Sequence, residues 1–314
     1  MPELYVNARS FAVSAHEVLA FYPSDRAKKL SEMPARTFRR RPRLPGRFDK
    51  VERFWRVMRA RQGRQAHTGR SPAGLSAALK AIEVVTMPEI IFTGSAGRIE
   101  GRYHPSKVKN APIAIVLHPH PQFGGTMNHP IIYQLYYAFA HRNLSVLRFN
   151  FRGVGRSPGS FDHGQGELAD AASALDWAQS ITPEARGCWI AGFSFGAWIG
   201  MQLLMRRPEI EGFISIAPPA NLYDFSFLAP CPSSGLIIHG DKDAVVPYKD
   251  VVGLVEKLKT QKGIVIDSRV VASANHFFDG KIDALMTSVM SYLDKRLEGG
   301  DARPEPRGRR TGAG

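Results

Sequence analysis

CWIAGFSFGAWIGMQLLMRR, residues Cys188 to Arg207, decides the fold. Cys188 to Ala191 is a short apolar run with the length and composition of a buried parallel strand. From Ala197 to Met205 the apolar residues continue long enough for a buried helix, which ends at Arg206 and Arg207 before Pro208. Between the two stands Gly192-Phe193-Ser194-Phe195-Gly196, a G-x-S-x-G sequence. A chain that turns from strand to helix in so few residues forces its middle residue into a strained conformation. The flanking glycines remove the Cβ atoms that would collide as strand and helix pass. Ser194 is thereby lifted to the apex, at the positive end of a helix dipole. A strand–turn–helix whose serine only caps the helix fits the same five residues. An acid, a base and an oxyanion hole elsewhere in the chain decide between the two.

The chain has 314 residues, 44% of them hydrophobic, which suits a globular core. No apolar run reaches the roughly 18 residues of a membrane helix. The N-terminus lacks the apolar stretch and small-residue site of a secretory signal. The two cysteines, Cys188 in an expected core strand and Cys231 in a Pro-flanked loop, do not make a disulfide framework. A cytoplasmic protein is the expectation. The net charge of +14 is uneven: residues 1–86 carry 18 Lys and Arg against 7 Asp and Glu, and residues 87–299 carry 20 against 19. The basicity is an end effect.

Residues 1–86 show no clean period. Phe48 to Arg61 fits one amphipathic helix, and the segment otherwise has the makings of a disordered or loosely helical N-terminal extension with no part in the fold. From Met87 the pattern changes. MPEIIFTG and RIEGRYHP predict a hairpin, and PIAIVLH, SVLRFNF, CWIA, GFISIAPP, SGLIIHG and IVIDSRVV predict strands that alternate with helices. This predicts an α/β, doubly wound, mostly parallel sheet over residues 87–299, with a disordered tail at 300–314.

In such a sheet the loops after SGLIIHG and IVIDSRVV emerge at the edge where Ser194 stands. The first carries Asp241 and Asp243, the second His276. A serine hydroxyl is a poor nucleophile at neutral pH, so an imidazole must take its proton and a carboxylate must hold that imidazole. Ser194, His276 and Asp243 are available for these roles, and Asp241 fits a turn cap. The loop His118-Pro119-His120-Pro121-Gln122-Phe123 follows the strand expected beside the elbow. An oxyanion hole needs backbone N–H groups, and the prolines have none. Phe195 and His120 are the expected donors, with Gln122 behind His120. A metal site on His118, His120 and His129 or His163 is the rival reading, but no cysteine or carboxylate cluster joins those histidines. Gly153-Val154-Gly155 lacks the third glycine and the acidic residue of a dinucleotide loop.

LHPHPQFGGTMNH, FNFRGVGRSPG, GFSFG, HGDKDAVVP and ANHFF together resemble the α/β-hydrolase superfamily, within it the small, lidless bacterial hydrolases of the dienelactone-hydrolase-like group. The resemblance covers residues from about 87 to 297. It implies a Ser194–Asp243–His276 triad, with Asp243 rather than Asp241 as the acid, and no cofactor or metal. Dienelactone hydrolases proper use a cysteine where Ser194 stands, so that reaction is not implied. The expected activity is hydrolysis of a small-molecule carboxylic ester, with Phe123 and Phe193 as substrate contacts. A peptidase or thioesterase of the same fold is the alternative. About 15 residues, ANLYDFSFLAPCPSS, join two late strands, too few for a helical cap. Tyr223, Phe225 and Phe227 of that segment, with Phe123, are expected to cover the site. A nucleic-acid partner would act only through residues 1–86, no membrane is expected, and homodimerisation stays open.

Overall fold

A computed structural model describes residues 88–298. The basic extension over residues 1–86, its candidate helix at 48–61 and the tail at 300–314 lie outside the described residues. Eight strands form one sheet: β1 (Glu89–Gly94), β2 (Gly97–His104), β3 (Ile113–Leu117), β4 (Ser145–Phe149), β5 (Cys188–Phe193), β6 (Ile210–Ile216), β7 (Gly235–Gly240) and β8 (Ile266–Val271). Their order is β1-β2-β4-β3-β5-β6-β7-β8. β1 and β2 pair antiparallel, as do β2 and β4, and every later pairing is parallel. β3 lies beside β5, so the His118 loop and the elbow leave the sheet as neighbours.

Five helices cover the two faces: α1 (Pro130–Ala140), α2 (Gln165–Ile181), α3 (Phe195–Leu204), α4 (Tyr248–Lys259) and α5 (Ile282–Glu298). The alternation of β3 shows how the layers divide. Ile113, Ile115 and Leu117 join the core formed with α2, α3 and α4. Ala114 and Val116 join the core formed with α1 and α5. A strand buried on both faces needs apolar residues throughout, which is why β3 and β5 read as continuous runs. Among the described residues no helix is long and apolar enough to cross a membrane.

One connection differs from the sequence expectation. The predicted strand GFISIAPP stops at Ile216, because Ala217 takes a positive φ of 45° and Pro218 and Pro219 cannot donate to a ladder. The link to Gly235 is therefore 18 residues long, with one short 3-10 turn at Ser226–Leu228 and no helix. Within it Phe225 is buried in the core, and Phe227 stacks on it with ring centroids 6.0 Å apart. Phe225 thus belongs to the core rather than to the cover of the serine, and Phe227 packs against the same core.

Candidate active site

Ser194 is the hinge between β5 and α3, with φ 54° and ψ −118°. An L-residue adopts that conformation only when its surroundings impose it. Two close approaches do so. A Cβ on Gly192 would collide with the carbonyl of Gly196, and one on Gly196 would collide with the carbonyls of Leu117 and His118. Only glycine lets α3 pass this near to β5 and to the end of β3. Ser194 is half-buried, and its own N–H is held by the Ile216 carbonyl at 2.8 Å.

The loops after β7 and β8 meet this serine. His276 Nε2 lies 3.0 Å from Ser194 Oγ, and His276 Nδ1 lies 2.7 Å from Asp243 Oδ2. A carboxylate only accepts, so Nδ1 carries the proton and Nε2 turns its lone pair to the serine hydroxyl. Asp243 Oδ1 accepts the N–H groups of Val245 and Val246, each at 2.8 Å. Burial would raise the Asp243 carboxyl, but the His276 hydrogen bond and charge and the Val246 N–H outweigh it and hold it below the ordinary range. Asn275 shapes the histidine loop, its Oδ1 accepting from Phe277 N and Asp279 N at 3.1 Å each. The two loops are tied together by Lys242 N–H on the Ala274 carbonyl at 3.0 Å.

The turn-capping role expected of Asp241 falls to Asp243, which both caps its turn and faces His276. Asp241 Oδ1 is buried with no hydrogen-bond partner among the described residues.

On the other side of the serine, Phe195 opens α3, where a first-turn amide has no partner within the helix. His120 packs its ring 5.0 Å from that of Phe195. The His120 carbonyl accepts from Phe123 N and Gly125 N at 3.1 and 3.0 Å, and its Nδ1 from Gln122 N at 3.3 Å. Gln122, expected behind His120 as a donor, is therefore already engaged. Phe123 stands at the loop tip, 44% exposed, with its ring 4.6 Å from His120. Phe193 does not face outward with it. As the last residue of β5 its side chain turns into the α1–α5 core, is fully buried, and lies 5.3 Å from His276 and 5.1 Å from His129. It is a floor beneath the imidazole, which corrects the expectation of a substrate contact.

His118, the centre of the rival metal reading, uses both ring nitrogens within the protein. Nδ1 donates to the Pro119 carbonyl at 2.7 Å, and Nε2 accepts Phe151 N–H at 3.0 Å. Burial pushes it down to about 3, so it stays neutral. Among the described residues no three His, Cys, Asp or Glu side chains form a metal-binding group.

Around the serine, Phe161, Arg152 and Asp170 were not read from sequence, whereas Tyr223 was. Phe161 packs 4.6 Å from His120 and 5.7 Å from Phe195, and Tyr223 stacks on Trp198 at 4.2 Å. The loop that carries Phe161 is pinned by Arg152, whose Nε and Nη2 meet the buried Asp170 carboxylate at 3.0 and 2.7 Å. A lone aromatic residue in a Gly-, Ser- and Pro-rich loop was the available signal for Phe161. Cys188 and Cys231 are both free and buried.

Residues 123–231 match the family model described as serine aminopeptidase, S33, a span that includes Ser194 but neither Asp243 nor His276. An uncharacterized protein of Rickettsia prowazekii is 51% identical over 211 residues, covering 66% of this chain and 89% of its own length. A crystal structure of a protein of unknown function from Agrobacterium tumefaciens is 70% identical, with a TM-score of 0.68, over 70% of this chain and all of that one. A lidless α/β serine hydrolase from Xanthomonas campestris is 31% identical, with a TM-score of 0.59, over 67% of this chain and 94% of that one. With its parallel sheet, its serine on a strained strand–helix turn and these relatives, the chain belongs to the α/β-hydrolase superfamily and is a hydrolase of the serine type.

Proposed function

We propose that this protein hydrolyses carboxylic esters of small or medium acids through a Ser194–His276–Asp243 triad and an acyl-enzyme. The observation that carries the reading is the continuous hydrogen-bond line from Asp243 Oδ2 through the imidazole to Ser194 Oγ, with steps of 2.7 and 3.0 Å. Ser194 Oγ attacks the ester carbonyl while its proton passes to His276 Nε2. Asp243 stabilises the imidazolium that forms. The backbone N–H groups of Phe195 and His120 receive the developing oxyanion. Collapse of the tetrahedral intermediate expels the alcohol, which takes the proton from His276. Water then repeats the sequence on the acyl-enzyme and releases the acid. The narrower likeness to the dienelactone-hydrolase-like group is part of this proposal.

The helix-free link between β6 and β7 supports an uncapped site, and with it a preference for short, water-soluble esters without activation at a lipid interface. The serine aminopeptidase family model favours a second reading, cleavage of an amide next to a free amino terminus. Both are tested by a panel of p-nitrophenyl esters of graded chain length run beside aminoacyl-nitroanilides. Short acyl esters are expected to turn over fastest, and Ser194→Ala to lose both that turnover and labelling by a fluorophosphonate. Faster cleavage of the nitroanilides would shift the assignment to a peptidase, and labelling that persists in Ser194→Ala would remove the nucleophile.

A further inference from the structure

His239, in β7, is four residues before Asp243 and is buried, with 2% of its surface exposed. The strand alternation sends its side chain, like that of Ile237, to the face covered by α4. Its Nε2 lies 2.9 Å from the Val246 carbonyl and 3.7 Å from Asp243 Oδ2. A carbonyl only accepts, so the proton sits on Nε2. Val246 is also the residue whose N–H is bound to Asp243 Oδ1. The result is a closed brace: β7 holds the Val246 carbonyl through His239, and the Val246 amide holds the carboxylate. Oδ2 of that carboxylate faces two imidazoles, His276 at 2.7 Å and His239 at 3.7 Å.

We propose that His239 is a positioning residue for Asp243, bracing the turn that presents the carboxylate to His276. The inference rests on the triad reading above. The brace requires His239 to be neutral, because a cation there would compete with His276 for Oδ2. Burial lowers its basicity against the pull of Asp243 and the Val246 carbonyl, and the charge on His276 lowers it further. The groups around it are Asp243 and His276 from the two loops, Tyr248 stacked on its ring at 6.2 Å, and Glu256, Lys259 and Arg269 lining the same small cavity between α4 and β8. A shift of the carboxylate by a fraction of an ångström would be felt at the serine, since a misplacement of about 1 Å can cost on the order of 100-fold in rate.

The test compares His239→Leu, which removes the donor, with His239→Gln, which keeps one, each also placed in an Asp243→Asn background. Fluorophosphonate titration of Ser194 counts active sites, so kcat is expressed per competent molecule. His239→Leu is expected to lower kcat for a short p-nitrophenyl ester roughly 10- to 100-fold with KM unchanged. The acid limb of its kcat/KM profile is expected to move to lower pH, because the imidazolium loses part of its counter-charge. His239→Gln is expected to recover most of the rate. In the Asp243→Asn background His239→Leu should cost nothing further, because the residue acts through that carboxylate. Losses that multiply in the double variant would overturn the inference. So would a His239→Leu enzyme with a lower thermal midpoint but the parent's kcat and pH profile, which is the behaviour of a purely structural residue. A parent protein that fails to label would overturn the triad reading and this inference with it, a result distinct from a labelled parent with an indifferent His239.

Discussion

Gly192 and Gly196 approach so closely that a single methyl group on the first would collide with the carbonyl of the second. The carbonyl is backbone at the start of α3, so it cannot swing aside as a flexible side chain would. Gly196 is confined in the same way by the carbonyls of Leu117 and His118. Gly192→Ala and Gly196→Ala are therefore expected to destabilise the protein by about 2–3 kcal/mol or more, seen as a lower urea midpoint. Gly253 is the control: it lies within α4, and a Cβ there meets nothing within 4 Å. Gly253→Ala should raise stability by about 0.5–1 kcal/mol, the usual helix preference for alanine over glycine. Equal effects at the three glycines would mean that the crossing is looser than described.

The buried histidines set the pH range in which the fold holds. His118 is pushed down to about 3 and His120 to about 4, in both cases chiefly by burial. Both rings are almost wholly enclosed, with 0% and 9% of their surface exposed. They stay neutral in the fold while the unfolded chain takes up protons below about pH 6.5. Their contribution is fully present above that value and is lost as pH falls toward the folded values. Each binds about one proton more in the unfolded state across this window, a slope of about 1.4 kcal/mol per pH unit per histidine. Asp243, held low, acts in the same direction but below about pH 4. Glu167, raised by burial, acts in the opposite direction above its unfolded value. The histidine slope is read between about pH 6 and 5, below the unfolded histidine value. Urea midpoints over that interval should fall steeply, and His118→Gln should flatten the slope by about one proton. A variant with the parent's slope would show that His118 is not the group resisting protonation.

What the sequence disclosed follows from where its patterns are unambiguous. The elbow was legible because its glycines, its serine and the change from an apolar run to a helix coincide within five residues. The order of Ser194, Asp243 and His276 along the chain was enough to bring all three to one sheet edge, because parallel strands send successive loops the same way. The side of β5 on which Phe193 lies was not legible. A strand apolar on both faces carries no alternation to tell floor from mouth. The end of β6 was misjudged because Ala217, Pro218 and Pro219 are apolar enough to extend the run, and only the positive φ at Ala217 reveals the break. Phe225 and Tyr223 are two residues apart in one loop, yet one joins the core and the other stacks on Trp198. Arg152 and Asp170 face each other across 18 residues of loop and helix, a pairing that no local pattern announces.

The strain at Ser194 has a consequence that separates function from stability. A residue with a Cβ at φ 54° and ψ −118° costs about 1–3 kcal/mol relative to a relaxed backbone, and glycine escapes most of that cost. Glycine also loses about 0.4–1 kcal/mol through the greater freedom of its unfolded chain. Ser194→Ala keeps the Cβ and hence the strain; Ser194→Gly releases it. Both remove the hydroxyl and its 3.0 Å hydrogen bond to His276, so that loss cancels when the two variants are compared. Ser194→Gly should be the more stable by about 1 kcal/mol, measured by urea denaturation at pH 7, while neither variant turns over an ester. An alanine variant as stable as the glycine one would show that the elbow relaxes once the serine is gone, and that the strain belongs to the hydroxyl's contacts rather than to the crossing of β5 and α3.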